Sequence, residues 1–411
     1  MNKSKLKYCV LAFMMSIIGV NAQSIKEDSN NPYTTQELRI RNGLPNFFKK
    51  INTGKKVTVA YLGGSITHQE GWRPKTFYWL EKQYPKTVFK MINAAVPGTG
   101  SEFGNCRLEK DAISKNPDLV FVEFRVNGSG GFGIPAYEGL VRQIWTNNPN
   151  TDICFVYTIG EGMLKNISKG LQHGEGIKLE KTAIHYNIPS IDFGLEVVKQ
   201  LSDGNFVFRS KTIVTGKKIF AKDAVHPKDD GHELYQKIVA RSLIAMESIG
   251  TAGKHKLPKP LTDNHFAEAE LISIKDAVPS KGWNTVVVAK DQVYKDDIFR
   301  TSQMLGDAVK SDKVEATLTV DWEGHTIGFS TIPLGKGSEI EVITDGDTAK
   351  LYKIKMKPNK NPKKEPRKFA RFFYTSAKTE GKHTTVFKIN KLAKGESVYM
   401  GQFLVFKKPI E

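Results

Sequence analysis

From residue 57 to residue 246 the chain alternates short apolar runs with segments of helical spacing, and this alternation constrains its fold more than any other feature. Residues 57–62 (VTVAYL) form an apolar run closed by Gly63-Gly64. Trp72–Gln83 has helical spacing and stops before Pro85. Residues 88–95 are apolar again, 106–115 read as a helix, and 119–126 (LVFVEFRV) are β-branched and aromatic. Residues 135–145 read as a helix with a proline near its first turn. Residues 153–159 and 188–193 read as strands, and 231–246 as an amphipathic helix. Strands alternating with helices imply a parallel sheet covered on both faces, a three-layer α/β/α fold. Such sheets carry their sites at the carboxyl ends of the strands.

The pattern changes near residue 250. Residues 250–264 (GTAGKHKLPKPLTDN) are rich in Gly, Lys and Pro and read as a linker. Short β-like runs follow at 284–289, 315–322, 326–330, 339–343, 349–356, 371–375, 384–389 and 397–406. Turn signals such as Asp345-Gly346-Asp347 and Lys394-Gly395-Glu396 separate them, the pattern of an all-β, sandwich-like domain. Residues 357–368 (KPNKNPKKEPRK) read as a polar loop within it. The expected organisation is a first domain over 23–250, a linker over 251–264 and a β-rich domain over 265–411.

Lys3, Lys5 and Lys7 precede an apolar run over residues 9–20, and Val20-Asn21-Ala22 then offers a small-residue cleavage site. This reads as a secretory signal cut after Ala22, with a periplasmic or secreted mature chain. Cys9 lies too early in that segment to be a lipoprotein cysteine. Export permits a disulfide, but Cys106 and Cys154 sit in helix-like and strand-like apolar surroundings and read as two buried thiols. The net charge of +18 is uneven: residues 350–411 hold 17 Lys and Arg against four acids. That basic stretch is either a solvated surface or a contact for an acidic polymer. Export argues against nucleic acid, and no apolar stretch is long enough for a membrane span.

Chemistry concentrates in four places. Gly63-Gly64-Ser65-Ile66-Thr67 puts a serine on a tight turn at the carboxyl edge of the sheet, where backbone N–H groups can hold an oxyanion. Asp223-Ala224-Val225-His226-Pro227 precedes the last helix. A serine hydroxyl needs a base, histidine is the usual one, and a carboxylate fixes its tautomer. A spacing of three lets Asp223 and His226 share a turn. His68 and His232 are the competing histidines. Gly98 follows the second strand and Asn127 the third, where a backbone N–H and a side-chain amide could reach a developing oxyanion.

The order Ser, Gly, Asn, Asp-x-x-His, each just past a strand or before the last helix, resembles the block order of the SGNH (GDSL-like) hydrolase superfamily over about residues 50–250. The resemblance implies a flavodoxin-like α/β/α domain with Ser65 as nucleophile, His226 as general base and Asp223 orienting it. It also implies an oxyanion hole made by the Ser65 and Gly98 N–H groups and the Asn127 amide. Two positions depart from the pattern: Gly64 stands where the family usually has Asp before the serine, and Gly128 where it usually has Asp after the asparagine. The GGSIT block with nearby Gly71-Trp72 resembles a subgroup of exported, carbohydrate-directed esterases with an appended β domain. The reaction so implied is removal of O-acetyl groups from a polysaccharide or oligosaccharide through an acyl-enzyme, without metal or cofactor. Another ester hydrolase or acyltransferase on the same triad, and a non-catalytic glycan-binding protein, are the alternative readings.

Gly128-Ser-Gly130-Gly-Phe-Gly133 fits Gly-x-Gly-x-x-Gly, but it follows the third strand and no acid stands at the end of the next strand at the required distance. A nucleotide site is therefore not expected. His68, Trp72, Arg73 and Arg125 are candidates for the substrate cleft. Trp72 could stack on a sugar or anchor the core, and Arg125 could touch an anionic substrate or pair with an internal acid.

Overall fold

The computed structural model describes residues 30–290, 297–333, 337–347, 350–355 and 369–408. The expected signal segment 1–22 and the polar loop 357–368, with the six Lys and Arg it carries, lie outside the described residues.

The first half of the chain builds a six-stranded sheet. Its strands are β1 (Leu38–Arg39), β2 (Val57–Gly63), β3 (Phe89–Ala95), β4 (Leu119–Glu123), β5 (Asp152–Tyr157) and β6 (Ser190–Asp192). Their spatial order is β1-β6-β5-β4-β2-β3. All neighbours pair in parallel except the short edge strand β1, which runs antiparallel to β6. The pleat sends alternate residues to opposite faces. Val57, Val59, Tyr61, Leu119 and Phe121 therefore enter one core, with Trp72, Leu80, Tyr235, Ile238 and Leu243 from the helices Trp72–Gln83 and Asp229–Met246. Ala60, Leu62, Val120, Val122 and Phe155 enter the other, with Leu108, Tyr137, Leu140 and Leu179 from the helices Ser101–Asp111, Ile134–Asn147 and Gly174–His185. Two apolar faces, each covered by helices, make the three layers.

From β2 the chain moves first to β3 on one side and then across to β4 on the other. Loops leaving adjacent strands on either side of such a reversal open a crevice beyond the carboxyl ends of the strands. Ser65, Gly98 and Asn127 lie on the loops after β2, β3 and β4.

Residues 251–264, expected as a linker, run along the first domain as a strap. His255 stacks on Trp145, ring centroids 4.6 Å apart, and its Nε2 lies 2.7 Å from Asp152 Oδ1. Arg142 donates to the Pro258 carbonyl at 3.0 Å. The fully buried Glu138 accepts the Leu261 and Thr262 N–H groups at 2.6 and 2.9 Å.

The second unit is all-β. Its strands form one nine-stranded antiparallel sheet carried by two long strands, Thr317–Thr331 and Arg371–Lys391. Each reads in sequence as two runs. In the first, a register shift between Gly324 and Thr326 explains the break, because a β-carbon on Gly324 would stand 2.8 Å from the Phe406 carbonyl oxygen. The strand Val398–Phe406 is buried along its whole length. Phe403 and Val405 point into the core of the β domain, while Leu404 and Phe406 enter a further core with Val96, Phe103, Cys106 and Ala136 of the first domain. The two domains thus share an apolar interior. Cys106 and Cys154 are both free and buried, and burial raises both thiols above their ordinary range.

Candidate active site

β2 ends at Gly63, and a single helical turn, Ser65–His68, starts at the serine. Ser65 Oγ lies 2.8 Å from His226 Nε2. On the other side of the ring, His226 Nδ1 lies 2.9 Å from Asp223 Oδ2 and 3.1 Å from Oδ1. With its Nδ1 proton directed at the carboxylate, the imidazole leaves Nε2 free to accept the serine proton.

The loop that carries Asp223 and His226 is held from several sides. Asp223 Oδ1 accepts the Val225 and His226 N–H groups at 2.8 Å each, closing the turn that the three-residue spacing predicts. Glu161 N–H donates to the Ala224 carbonyl at 2.8 Å, tying the loop to the end of β5. Partial burial alone would raise the Asp223 pKa. The N–H groups of His226 and Val225 and the imidazole outweigh it and hold the carboxyl below its ordinary range. Asp223 is therefore ionised wherever His226 could act as a base.

The other two expected members of the site, Asn127 and Gly98, lie on the loops after β4 and β3. Asn127 packs so closely on Gly64 that a β-carbon there would stand 2.1 Å from its Oδ1. The glycine at 64 thus has a steric cause: the place of a side chain is taken by the Asn127 amide. At 128 the cause is backbone, since Gly128 adopts φ +74°. Gly98, at φ +65°, sits on a loop tied to β2 by the Val96 N–H to Gly63 carbonyl bond of 3.0 Å. The Ser101 N–H to Gly128 carbonyl bond, also 3.0 Å, links the loops after β3 and β4.

Three of the four residues expected in the cleft are internal. Trp72 is fully buried and meets Tyr61, Phe121 and Phe193 edge-on, so it is a core anchor and touches no substrate. Arg73 is buried and donates to the Thr67 and His68 carbonyls and to Glu70, bracing the turn after the serine. Arg125 is buried in a two-pronged ion pair with Asp192, at 2.5 and 2.8 Å, and donates to the Thr158 and Tyr157 carbonyls. An apolar strand leading into an arginine gives no sequence clue as to which acid will meet it. His232 is also internal: it accepts the Trp72 N–H, and burial pushes its pKa down to about 4.

His68 alone stays at the rim, its Nδ1 3.2 Å from the Ala95 carbonyl. Its ring stacks on Phe299, centroids 4.5 Å apart, and Phe299 is 44% exposed. Phe299 and its neighbour Arg300 come from the β domain, on the helix Ile298–Leu305. Arg300 donates to the Gly98 carbonyl at 3.4 Å and lies over the Phe369 ring. Sequence reasoning missed both residues; the i, i+3, i+4 spacing of Thr301, Met304 and Leu305 is the available signal, and it is short and flanked by strand-like runs.

Among the described residues no group of three or more His, Cys, Asp or Glu side chains could hold a metal, and no helix is long and apolar enough to cross a membrane.

No protein-family model matches the chain, and no curated protein matches it. Solved structures do resemble it. A two-domain esterase active on acetylated mannans, co-crystallised with mannopentaose, is 20% identical with a TM-score of 0.73, covering 91% of this chain and 98% of that one. The same kind of protein without that ligand gives 20% identity and a TM-score of 0.72 over the same shares. An acetyl xylan esterase covers 46% of this chain and 100% of its own, at 21% identity and a TM-score of 0.37. The likeness to the two-domain protein is one of fold, and it extends over both domains.

Proposed function

We propose that this chain is an exported serine esterase that removes O-acetyl groups from a polysaccharide or oligosaccharide. The observation that carries the reading is the relay from Ser65 Oγ through the His226 ring to Asp223, at 2.8 and 2.9 Å. Ser65 attacks the ester carbonyl as His226 Nε2 takes its proton. The negative oxygen is received by the Ser65 and Gly98 N–H groups and the Asn127 amide. His226 then returns the proton to the departing sugar hydroxyl, leaving Ser65 acetylated. Water, deprotonated by the same histidine, releases acetate. Asp223 keeps the imidazole in the productive tautomer and supports its charge.

The SGNH-like block order and the fold shared with an esterase of acetylated mannans support a carbohydrate ester as substrate. The basic, apolar and small-residue segments over residues 1–22 support export. The test is acetate release from acetylated mannan, acetylated xylan and an aryl acetate, comparing the full chain with Ser65→Ala. Release that disappears in the variant supports the reading, and the ranking of substrates names the glycan. A folded wild type that releases no acetate from any of them overturns the acetylesterase and moves the assignment to another acyl group or to glycan binding.

A further inference from the structure

A buried carboxyl group lies beneath the turn that presents the serine, and none of the steps above uses it. Glu123 ends β4 directly across from Gly63 in the register of the sheet and is fully buried. Thr67 Oγ1 donates to its Oε2 at 2.9 Å, Thr158 Oγ1 donates to its Oε1 at 2.6 Å, and the Gly64 N–H donates to it as well. Gly64 and Thr67 stand on either side of Ser65 in the chain. The carboxyl therefore holds the backbone just before the serine and a side chain of the helical turn just after it.

An acid is a costly choice for a site with no water. The charged and titratable groups around it do not relieve that cost by direct contact. Arg125, two residues on, commits its guanidinium to Asp192 at the end of β6, and Tyr235 of the helix Asp229–Met246 accepts the Ile159 N–H. Burial pushes Glu123 up to about 7, despite the three donors and the nearby arginine. A purely structural position would be filled at lower cost by an apolar side chain of similar volume. What an apolar residue could not do is accept from Gly64 and Thr67 at once.

We propose that Glu123 is a positioning residue for the reaction, clamping Gly64 and Thr67 so that Ser65 keeps one orientation toward His226 and the acyl carbonyl. The inference rests on Ser65 being the nucleophile. Small displacements of a reacting group are expensive, and a shift of about 1 Å can cost roughly a hundredfold in rate.

The test uses the full chain with Glu123→Gln, Thr67→Val and Thr67→Ser. Three quantities are read: the thermal midpoint, kcat and KM on 4-nitrophenyl acetate, and the rate at which a fluorophosphonate probe labels Ser65. Glu123→Gln is expected to fold and to keep KM, with kcat and labelling rate both down roughly ten- to a hundredfold. Thr67→Val is expected to follow it, and Thr67→Ser, which keeps the hydroxyl, to restore most of the rate. Folded Glu123→Gln and Thr67→Val proteins that label at the wild-type rate overturn the proposal. If Glu123→Gln fails to fold, the threonine pair decides, because it alters a single hydroxyl. A wild type that neither labels nor hydrolyses overturns the nucleophile itself, a result distinct from an active wild type with active variants.

Discussion

The guanidinium carbon of Arg300 lies 2.8 Å from the point where a β-carbon on Gly98 would stand. One residue belongs to the β domain and the other to the loop after β3, 202 positions apart in the chain. The second domain therefore lines the crevice beside Gly98 and His68. Gly98→Ala has two faults, a left-handed backbone that resists a side chain and displacement of the arginine. Its kcat should fall roughly tenfold or more, toward the 10²–10³ of a lost oxyanion donor. Arg300→Ala should give a smaller fall with the thermal midpoint nearly unchanged. Steady-state kinetics on an aryl acetate check both, and wild-type kcat in Gly98→Ala would remove Gly98 from the oxyanion hole.

Placing at 64 the aspartate that SGNH-like sequences usually carry before their serine should abolish most of the proposed activity. Any β-carbon at 64 meets the Asn127 amide at 2.1 Å, and Asn127 is too short to swing its end away while keeping its place. Gly64→Ala and Gly64→Asp should both fold and both lose about a hundredfold in kcat or more. A compensating Asn127→Gly should not rescue either, since the amide donor is then gone. Activity at the wild-type level in Gly64→Asp would show that Asn127 is dispensable.

Arg125 should act on stability and leave substrate affinity alone. Both members of its pair with Asp192 are fully buried, so Arg125→Met strands a carboxylate in the interior. The expected loss is about 3–5 kcal/mol, read from urea midpoints. Asp192→Asn strands the arginine and should cost a similar amount. A folded, stable Arg125→Met with a raised KM would return Arg125 to the substrate cleft.

Two buried carboxyls should leave a mark on the pH dependence of folding. Burial raises Glu123 and Glu102 to about 7 each, above the ordinary carboxylate value of 4.5. Between 4.5 and 7 the folded chain holds protons that the unfolded chain has released. Their contribution to stability therefore falls as pH rises through that window. His232, held neutral to about 4 by burial, contributes with the opposite sign, so stability rises with pH from about 4 to 6.5 on its account. The wild-type slope is the difference of these effects. Glu102→Gln and Glu123→Gln should each shift the slope between pH 4.5 and 7 in the positive direction, measured by chemical denaturation at several pH values. Slopes identical to wild type would mean that neither group is protonated in the folded state near neutrality.

Much of this molecule was readable before its coordinates. The residues 57–62 run and Trp72–Gln83 fall where spacing predicts them, because central strands and covering helices are decided by local apolar period. The Ser65, Asp223 and His226 cluster was legible for a related reason: each stands where an element ends, and element ends converge at one edge of a parallel sheet. The misses have other causes. The helices Pro45–Asn52 and Gly194–Ser202 are hard to read because each is only eight or nine residues long, and Gly174–His185 because glycines and charged residues dilute its period. The run at 119–126 reads as one strand, but pairing stops at Glu123, and the last residues turn away to bring Asn127 against Gly64. Trp72, Arg73 and Arg125 look like a sugar-binding set by residue type; the partners that bury Trp72 and Arg125 are remote in sequence, while Arg73 turns back on the segment just before it. Phe299 and Arg300 act across a domain boundary, which no local pattern reports.

The strand Val398–Phe406, last in chain order among the described strands, sits in the middle of the β sheet and faces both interiors. Without it, Phe403 and Val405 are missing from the core they share with Phe329 and Phe387, and Leu404 and Phe406 from the core they share with Phe103 and Ala136. A chain interrupted before residue 398 would therefore be defective in both halves at once, including the half that holds every residue of the relay. Loss of this one strand would thus open an apolar face on each domain at the same time.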